Sequence, residues 1–204
     1  MGKIITNNWA YRFTKQKDIS VKKINKARYA ILGMLANEPQ SGYDLKQSIM
    51  GSVAYFWQES DASIYPMLKK LETEKKVTSH AEAIGKRSKT IFKITPTGLK
   101  ELTEWLKIPA EDESSRNELL LKLFFSANST KEDVAKQLEL HQKRLAQTTQ
   151  QFDHINEHLQ QLPDSRSEKL FWLMTLNNGI MHAKTEARWI TECFKILGVN
   201  KSKN

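Results

Sequence analysis

Apolar side chains recur at intervals of three and four residues along most of the chain, which is the spacing of one face of an α-helix. In the first part of the chain this spacing predicts helices over 27–35, 42–49 and 62–75. Ser41 is placed to cap the second helix, and Ser60 or Asp61 the third. The inner face of the third helix is predicted to consist of Ile64, Met67 or Leu68, and Leu71.

The period then shortens to two. Segments 77–83 and 90–94 alternate apolar and polar positions, as strands do, and the basic stretch 85–89 between them predicts a hairpin turn. Another helix begins after Thr95, which is placed to cap it, and Pro96 lies in its first turn. The apolar face of that helix is predicted to be Leu99, Leu102 and Leu106. Three helices, a hairpin and a fourth helix predict a winged helix.

Only helices are expected beyond a polar linker. They are predicted over about 116–126, 130–161 and 167–197, and the apolar stripe of the last one includes Leu170 and Met174. A helix of about 30 residues is about 45 Å long. One such pair cannot enclose its own apolar surface, so packing against a second copy of the chain is expected.

The predicted fold class is mainly α with a small β-wing: a winged helix-turn-helix domain plus a long-helical dimerisation domain. The predicted boundaries are a basic N-terminal arm over 1–26, the winged-helix DNA-binding domain over 27–107, a linker over 108–115, the helical dimerisation domain over 116–198 and a tail over 199–204.

Composition limits the compartment and the chemistry. The single cysteine, Cys193, cannot form an internal disulfide, and no apolar run reaches the length of a membrane span. A cytoplasmic protein is therefore expected. The sequence has no glycine-rich phosphate loop and no nucleophile elbow. We expect no enzyme activity, no cofactor and no metal.

Positive charge is concentrated in the first half of the chain. The net charge is +9; residues 1–26 carry 7 basic and 1 acidic side chains, residues 27–107 carry 12 and 9, and residues 108–204 carry 13 of each. This asymmetry favours a polyanion-binding module joined to a neutral association module.

The third helix has the character of a recognition helix, whose first residues enter the major groove of DNA. Small and hydroxyl side chains at its start allow a close approach, and Ser63 and Tyr65 can bond base edges or phosphate. Lysines follow one turn later, where phosphates are expected. The DNA-contacting residues predicted from this helix are Ser60, Ala62, Ser63, Tyr65, Pro66, Lys69 and Lys70.

The hairpin tip is the second candidate contact. Lys86, Arg87 and Lys89 lie within four residues that contain no acid, and a wing would place them beside the minor groove or the backbone. A solvated turn is the alternative for such a run by itself. Its combination with a recognition helix upstream favours DNA.

Five stretches of the N-terminal half form a pattern: Tyr29 to Leu35 (YAILGML), Ser41 to Leu45 (SGYDL), Phe56-Trp57, Ser63 to Glu72 (SIYPMLKKLE) and Lys89 to Gly98 (KTIFKITPTG). Together they resemble the PadR family of bacterial transcription regulators. Arg116 to Phe125 (RNELLLKLFF) also resembles the start of the long C-terminal domain of the larger subfamily.

The resemblance implies a winged helix, an antiparallel helical dimerisation domain and a promoter-binding repressor or, less often, an activator. It adds Tyr43 to the expected DNA contacts, beside Ser63, Tyr65, Lys69 and the wing cations.

Two features of the sequence depart from the family pattern. The family usually has glycine where Lys75 stands, since the site favours a left-handed backbone. A lysine there either costs on the order of 1 kcal/mol or indicates a locally different turn, and it adds charge beside Lys76. The arm over 1–26 is longer than the family norm, and it is either an additional DNA contact or a solvated tail.

Aromatic residues suggest an effector site. If the two domains face each other, Phe56, Trp57, Trp172 and Trp189 would line an apolar cavity for a planar, phenolic or aromatic ligand. The alternative is that they belong to the core and to the dimer interface.

The resulting functional hypothesis is a homodimer that reads an inverted repeat with two recognition helices about 34 Å apart, as a repressor released by a small effector. A non-specific architectural DNA-binding protein is the first alternative, and a protein-interaction module that no longer binds DNA is the second.

Overall fold

The computed structural model describes residues 25–57, 61–84, 87–111 and 116–199, with the backbone alone at Asp61, Ala62, Ile84 and Arg87. Most of the predicted arm over 1–26 and of the tail over 199–204 therefore lies outside the described residues. The chain divides into two compact units between Pro109 and Ala110.

The N-terminal unit has the predicted fold class of helices with a small antiparallel wing. Ser41 and Thr95 cap their helices as predicted: their hydroxyls accept the N–H of Asp44 at 3.2 Å and of Gly98 at 3.1 Å. The elements are α1 Ala27–Asn37, β1 Gln40–Ser41, α2 Gly42–Gly51, a 3-10 turn Val53–Tyr55, α3 Asp61–Thr73, β2 Val77–Ile84, β3 Arg87–Ile94 and α4 Pro96–Leu106.

The sheet has three strands in the order β1-β3-β2. The hairpin is longer than the prediction, because β2 and β3 stay paired from Val77 opposite Ile94 to Ile84 opposite Arg87. The predicted turn over 85–89 was therefore too long. The short β1 was not predicted, since two residues are too few to display an alternating pattern.

One apolar core lies between the helices and the sheet of this unit. Both candidates for the inner face of α3, Met67 and Leu68, are buried together with Ile64 and Leu71. The core also contains Ile31, Leu32, Leu35, Leu45, Ile49, Val77 and Leu102.

The C-terminal end of α3 differs from the prediction. The helix ends at Thr73, because the N–H of Lys76 bonds the Leu71 carbonyl at 2.8 Å and the N–H of Lys75 bonds the Glu72 carbonyl at 2.9 Å. This is a Schellman motif, which requires a left-handed residue. Lys75 supplies it with a φ of 56°.

The next helix, α4, packs with a face rotated from the prediction. Leu102 is buried, but Leu99 and Leu106 are 47% and 68% exposed, so their assignment to the inner face was wrong. Trp105 is instead the second inward-facing side chain of α4, and it stacks on Tyr29 of α1 with the ring centroids 4.4 Å apart.

Gly98 marks a close approach within this unit. A Cβ at Gly98 would lie 2.1 Å from the backbone oxygen of Lys76. The absence of a side chain therefore lets the first turn of α4 pack against the loop that follows α3.

The C-terminal unit consists of α5 Glu118–Phe124, a 3-10 turn Ser126–Asn128, α6 Lys131–Gln161 and α7 Ser167–Leu197. Thr130 caps α6 by accepting the N–H of Asp133 at 3.1 Å. Gly198 ends α7 with a φ of 70°. Among the described residues, no helix has the length and apolar character that a membrane crossing needs.

The two long helices pack along two clusters. One contains Leu138, Ile190 and Phe194, and the other contains Phe152 and Leu176. Leu170 and Met174 do not join them: each is 62% exposed, so this part of the predicted apolar stripe of α7 is not covered within one copy of the chain.

Candidate nucleic-acid interface

The outer face of α3 presents most of the predicted recognition residues. Because Ile64 and Leu68 face the core, Tyr65, Lys69 and Lys70 project outward, and Tyr65 is 55% exposed. Pro66 is exposed beside them. Ser63 is half-buried.

Two predicted residues at the start of α3 have no described side chain. Ser60 lies outside the described residues, and only the backbone of Ala62 is described, within the helix. Pro66 is the sixth residue of α3, and its missing N–H deprives the carbonyl of residue 62 of its usual donor.

The start of α2 lies beside this face. Tyr43, expected from the resemblance, is 62% exposed. Asp44 follows it, and its carboxylate accepts the hydroxyl of Ser41 at 2.9 Å. The same hydroxyl accepts the Asp44 backbone N–H and so caps α2.

The wing differs from its predicted arrangement at Lys89. This residue lies in β3 opposite Glu82 instead of in the turn. Its ammonium group contacts the Asp44 carboxylate at 2.5 Å, and this contact, with a smaller one from Ser41, holds the pKa of Asp44 below its usual value. The ammonium group of Lys89 is therefore already paired with a carboxylate of the same chain. A phosphate of DNA would have to share this group with Asp44.

The other two wing cations have no described side chain. Lys86 lies outside the described residues, and only the backbone of Arg87 is described, as the residue that opens β3. Their contact with DNA stays a prediction.

Sequence reasoning missed Asp44 as the partner of Lys89. The two residues are 45 positions apart, and neither the helix nor the strand pattern encodes their meeting. The capping spacing from Ser41 to Asp44 was the only signal for that carboxylate.

A partly buried ionic cluster holds the helices behind this surface. Arg28 of α1 is 14% exposed and binds the carboxylates of Glu101 and Glu74, the latter at 2.5 Å. Lys76 binds Glu101 at 2.9 Å. These contacts, chiefly the hydrogen bond from Arg28, keep the pKa of Glu101 below its usual value. The cluster ties α1 and α4 to the chain at the end of α3.

The four aromatic residues of the predicted effector site lie in different surroundings. In the N-terminal unit Phe56 is 59% exposed, and the ammonium of Lys26 lies 5.3 Å from the Trp57 ring centroid. In the C-terminal unit Trp172 and Trp189 pack against separate clusters. Seventeen positions apart on α7, they are separated by about 25 Å along its axis, so one copy cannot place both around one small ligand.

Comparison with known proteins matches both units. The model of the transcriptional regulator PadR-like family matches residues 31–104, and the model of the virulence activator alpha C-term family matches residues 115–198. The negative transcriptional regulator PadR of Bacillus subtilis is 27% identical over 172 residues, which cover 80% of this chain and 92% of that protein.

Solved structures of Bacillus subtilis PadR have the same fold. The crystal structure in complex with operator DNA has a TM-score of 0.73 at 24% identity, and the match covers 83% of this chain and 98% of that one. The structure in complex with p-coumaric acid has a TM-score of 0.69 at 23% identity and covers 84% and 98% of the two chains.

Proposed function

The chain belongs to the PadR-like family of transcriptional regulators, and we propose that it binds a specific operator as a homodimer, with α3 in the major groove and the wing beside it. The observation that carries this proposal is the outer face of α3, where Tyr65 is 55% exposed and Lys69 and Lys70 are exposed next to it. A ring, a hydroxyl and two cations match what base edges and phosphates require.

The proposed dimer forms through the C-terminal helices. The support is an apolar face on α7, where side chains at helical spacing are about 60% exposed: Leu170, Phe171, Met174 and Met181. Large apolar side chains exposed along one side of a helix favour an interface, and a symmetric copy would present the same face. Two recognition helices about 34 Å apart would then read an inverted repeat.

Dimer formation is testable at one position. Phe171→Glu is expected to make the chain monomeric in sedimentation velocity, because it places a charge in the proposed interface. Thr191→Glu, also exposed on α7 but about 30 Å from Phe171 along the helix axis, is the matched control. Equal sedimentation of both variants with the parent would exclude this interface.

We also propose that the chain represses transcription and that a small aromatic acid relieves this repression. It is supported by the relative named as a negative regulator and by the related structure that holds p-coumaric acid. Addition of p-coumarate is expected to release the chain from its operator in a fluorescence anisotropy titration. Retention of DNA at saturating p-coumarate would exclude that compound as the effector.

Selection from fragmented genomic DNA at about 0.15 M salt tests the specific operator, because contacts made only with phosphate weaken steeply with salt. Enrichment of one or a few inverted repeats near promoters is expected. Recovery of fragments in proportion to their abundance would instead favour the non-specific architectural function.

A further inference from the structure

A glycine of α2 supports the exposed tyrosine of α3. Gly42 is buried at the first position of α2. A Cβ built on it would lie 2.7 Å from Cε1, 3.4 Å from Cδ1 and 3.5 Å from Cζ of the Tyr65 ring. The ring therefore rests directly on the Cα of Gly42.

The backbone does not explain this glycine. Gly198 is the one glycine with a positive φ among those described, so an L-residue could adopt the backbone conformation of Gly42. Gly51, at the other end of the same helix, has no atom within 4 Å of an added Cβ. The constraint at Gly42 is thus the ring of Tyr65.

Core packing explains the arrangement no better. Tyr65 is 55% exposed although one side of its ring is covered, whereas its neighbour Ile64 is 3% exposed and belongs to the core. The contact buries little of Tyr65. Its main consequence is that one orientation of an otherwise mobile surface ring is favoured.

We propose that Gly42 is a specificity-determining position that acts through Tyr65: by lacking a side chain, it admits the orientation in which the Tyr65 ring, packed on the Gly42 Cα, meets the bases. The inference rests on the proposed function, in which α3 reads the major groove. A ring that is already oriented loses less conformational freedom on binding and presents its hydroxyl at one place, so the effect falls on the preferred sequence.

The prediction for Gly42→Ala follows from the geometry. A methyl group 2.7 Å from Cε1 cannot coexist with the present ring position, and the exposed ring can turn about χ1 to another staggered position. The variant is expected to fold, with a thermal midpoint close to that of the parent, and to hold Tyr65 in a different orientation.

The test is a double-mutant cycle on two duplexes. One is the sequence that the parent chain enriches most from a random duplex library, and the other is the same sequence scrambled. Gly42→Ala and Tyr65→Leu are each expected to weaken binding to the selected duplex about tenfold, within the range of one base contact, and to leave the scrambled duplex unchanged. The double variant should bind like Tyr65→Leu alone, and Gly51→Ala like the parent.

Each contrary result is informative. Additive losses in the double variant, or equal losses on both duplexes, would overturn the action of Gly42 through Tyr65. A Gly42→Ala chain that fails to fold would show that the glycine serves packing, and would also overturn it. If the parent itself enriches no sequence, the proposed function fails together with this inference; if it does and Gly42→Ala binds normally, only the inference fails.

Discussion

Replacing Lys75 by glycine is expected to raise the free energy of unfolding of the N-terminal unit by about 0.5–1 kcal/mol. Lys75 has a φ of 56°, and a residue with a Cβ costs roughly 1–2 kcal/mol in that region, whereas glycine adopts it freely. Glycine also gives the unfolded chain more conformational freedom, which reduces this gain in the free energy of unfolding by roughly 0.4–1 kcal/mol. The difference is the expected net gain.

The surroundings of Lys75 prevent the turn from relaxing. Its carbonyl accepts the hydroxyls of Thr95 at 2.8 Å and Thr97 at 3.0 Å, so the loop after α3 is fixed to the start of α4. The neighbouring Lys76 is held by Glu101. A strained conformation persists where the structure around it determines it in this way.

Native-state hydrogen exchange on peptides from α1 and α3 would measure the change, since these amides report the opening of the N-terminal unit. Lys75→Ala is the matched control, because it removes the same charge and keeps the Cβ. We expect slower exchange in Lys75→Gly alone. Slower exchange in both variants would assign the effect to charge, and no change in either would refute the reasoning from φ.

The remaining predictions concern other contacts of the N-terminal unit. The pKa of Glu101 is lowered in the folded state, so its pairing with Arg28 stabilises the fold above the ordinary glutamate pKa, and this stabilisation is lost as pH falls through the lowered value. Glu101→Gln should therefore flatten the fall of the urea midpoint between about pH 5 and 3. A midpoint that falls as steeply with pH as in the parent would refute this. Gly98→Ala should destabilise the unit by about 2 kcal/mol or more in urea unfolding, and an unchanged midpoint would contradict the close approach. Asp44→Asn should free Lys89 and steepen the salt dependence of DNA binding by up to about one phosphate contact; an unaltered slope would show that Lys89 does not reach DNA.

The helices were predictable because their apolar periodicity and caps are local. Ser41 and Thr95 cap their helices as the sequence indicates. The range 167–197 for the last helix was correct. The left-handed conformation of Lys75, one of the two alternatives left by the family pattern, is also present.

Several misses share a cause in contacts between distant positions. Two contacts join residues far apart in sequence: the ion pair of Lys89 with Asp44 and the packing of the Tyr65 ring on Gly42. The exposure of Leu99 was missed because its spacing fits a buried face, while the ring of Trp105 took the place against α1. Periodicity identifies a helix and cannot choose between neighbouring apolar faces.

In the proposed function, α3 reads sequence with Tyr65 and holds phosphates with its lysines. This division of roles is tested by the ratio of affinities for the selected and the scrambled duplex, measured by anisotropy at several salt concentrations for the parent, Tyr65→Leu and Lys69→Ala. We predict that Tyr65→Leu lowers the ratio, whereas Lys69→Ala weakens both duplexes equally and reduces the salt slope by about one. If both variants weaken both duplexes by the same factor, α3 binds only the charge of DNA and does not read its sequence.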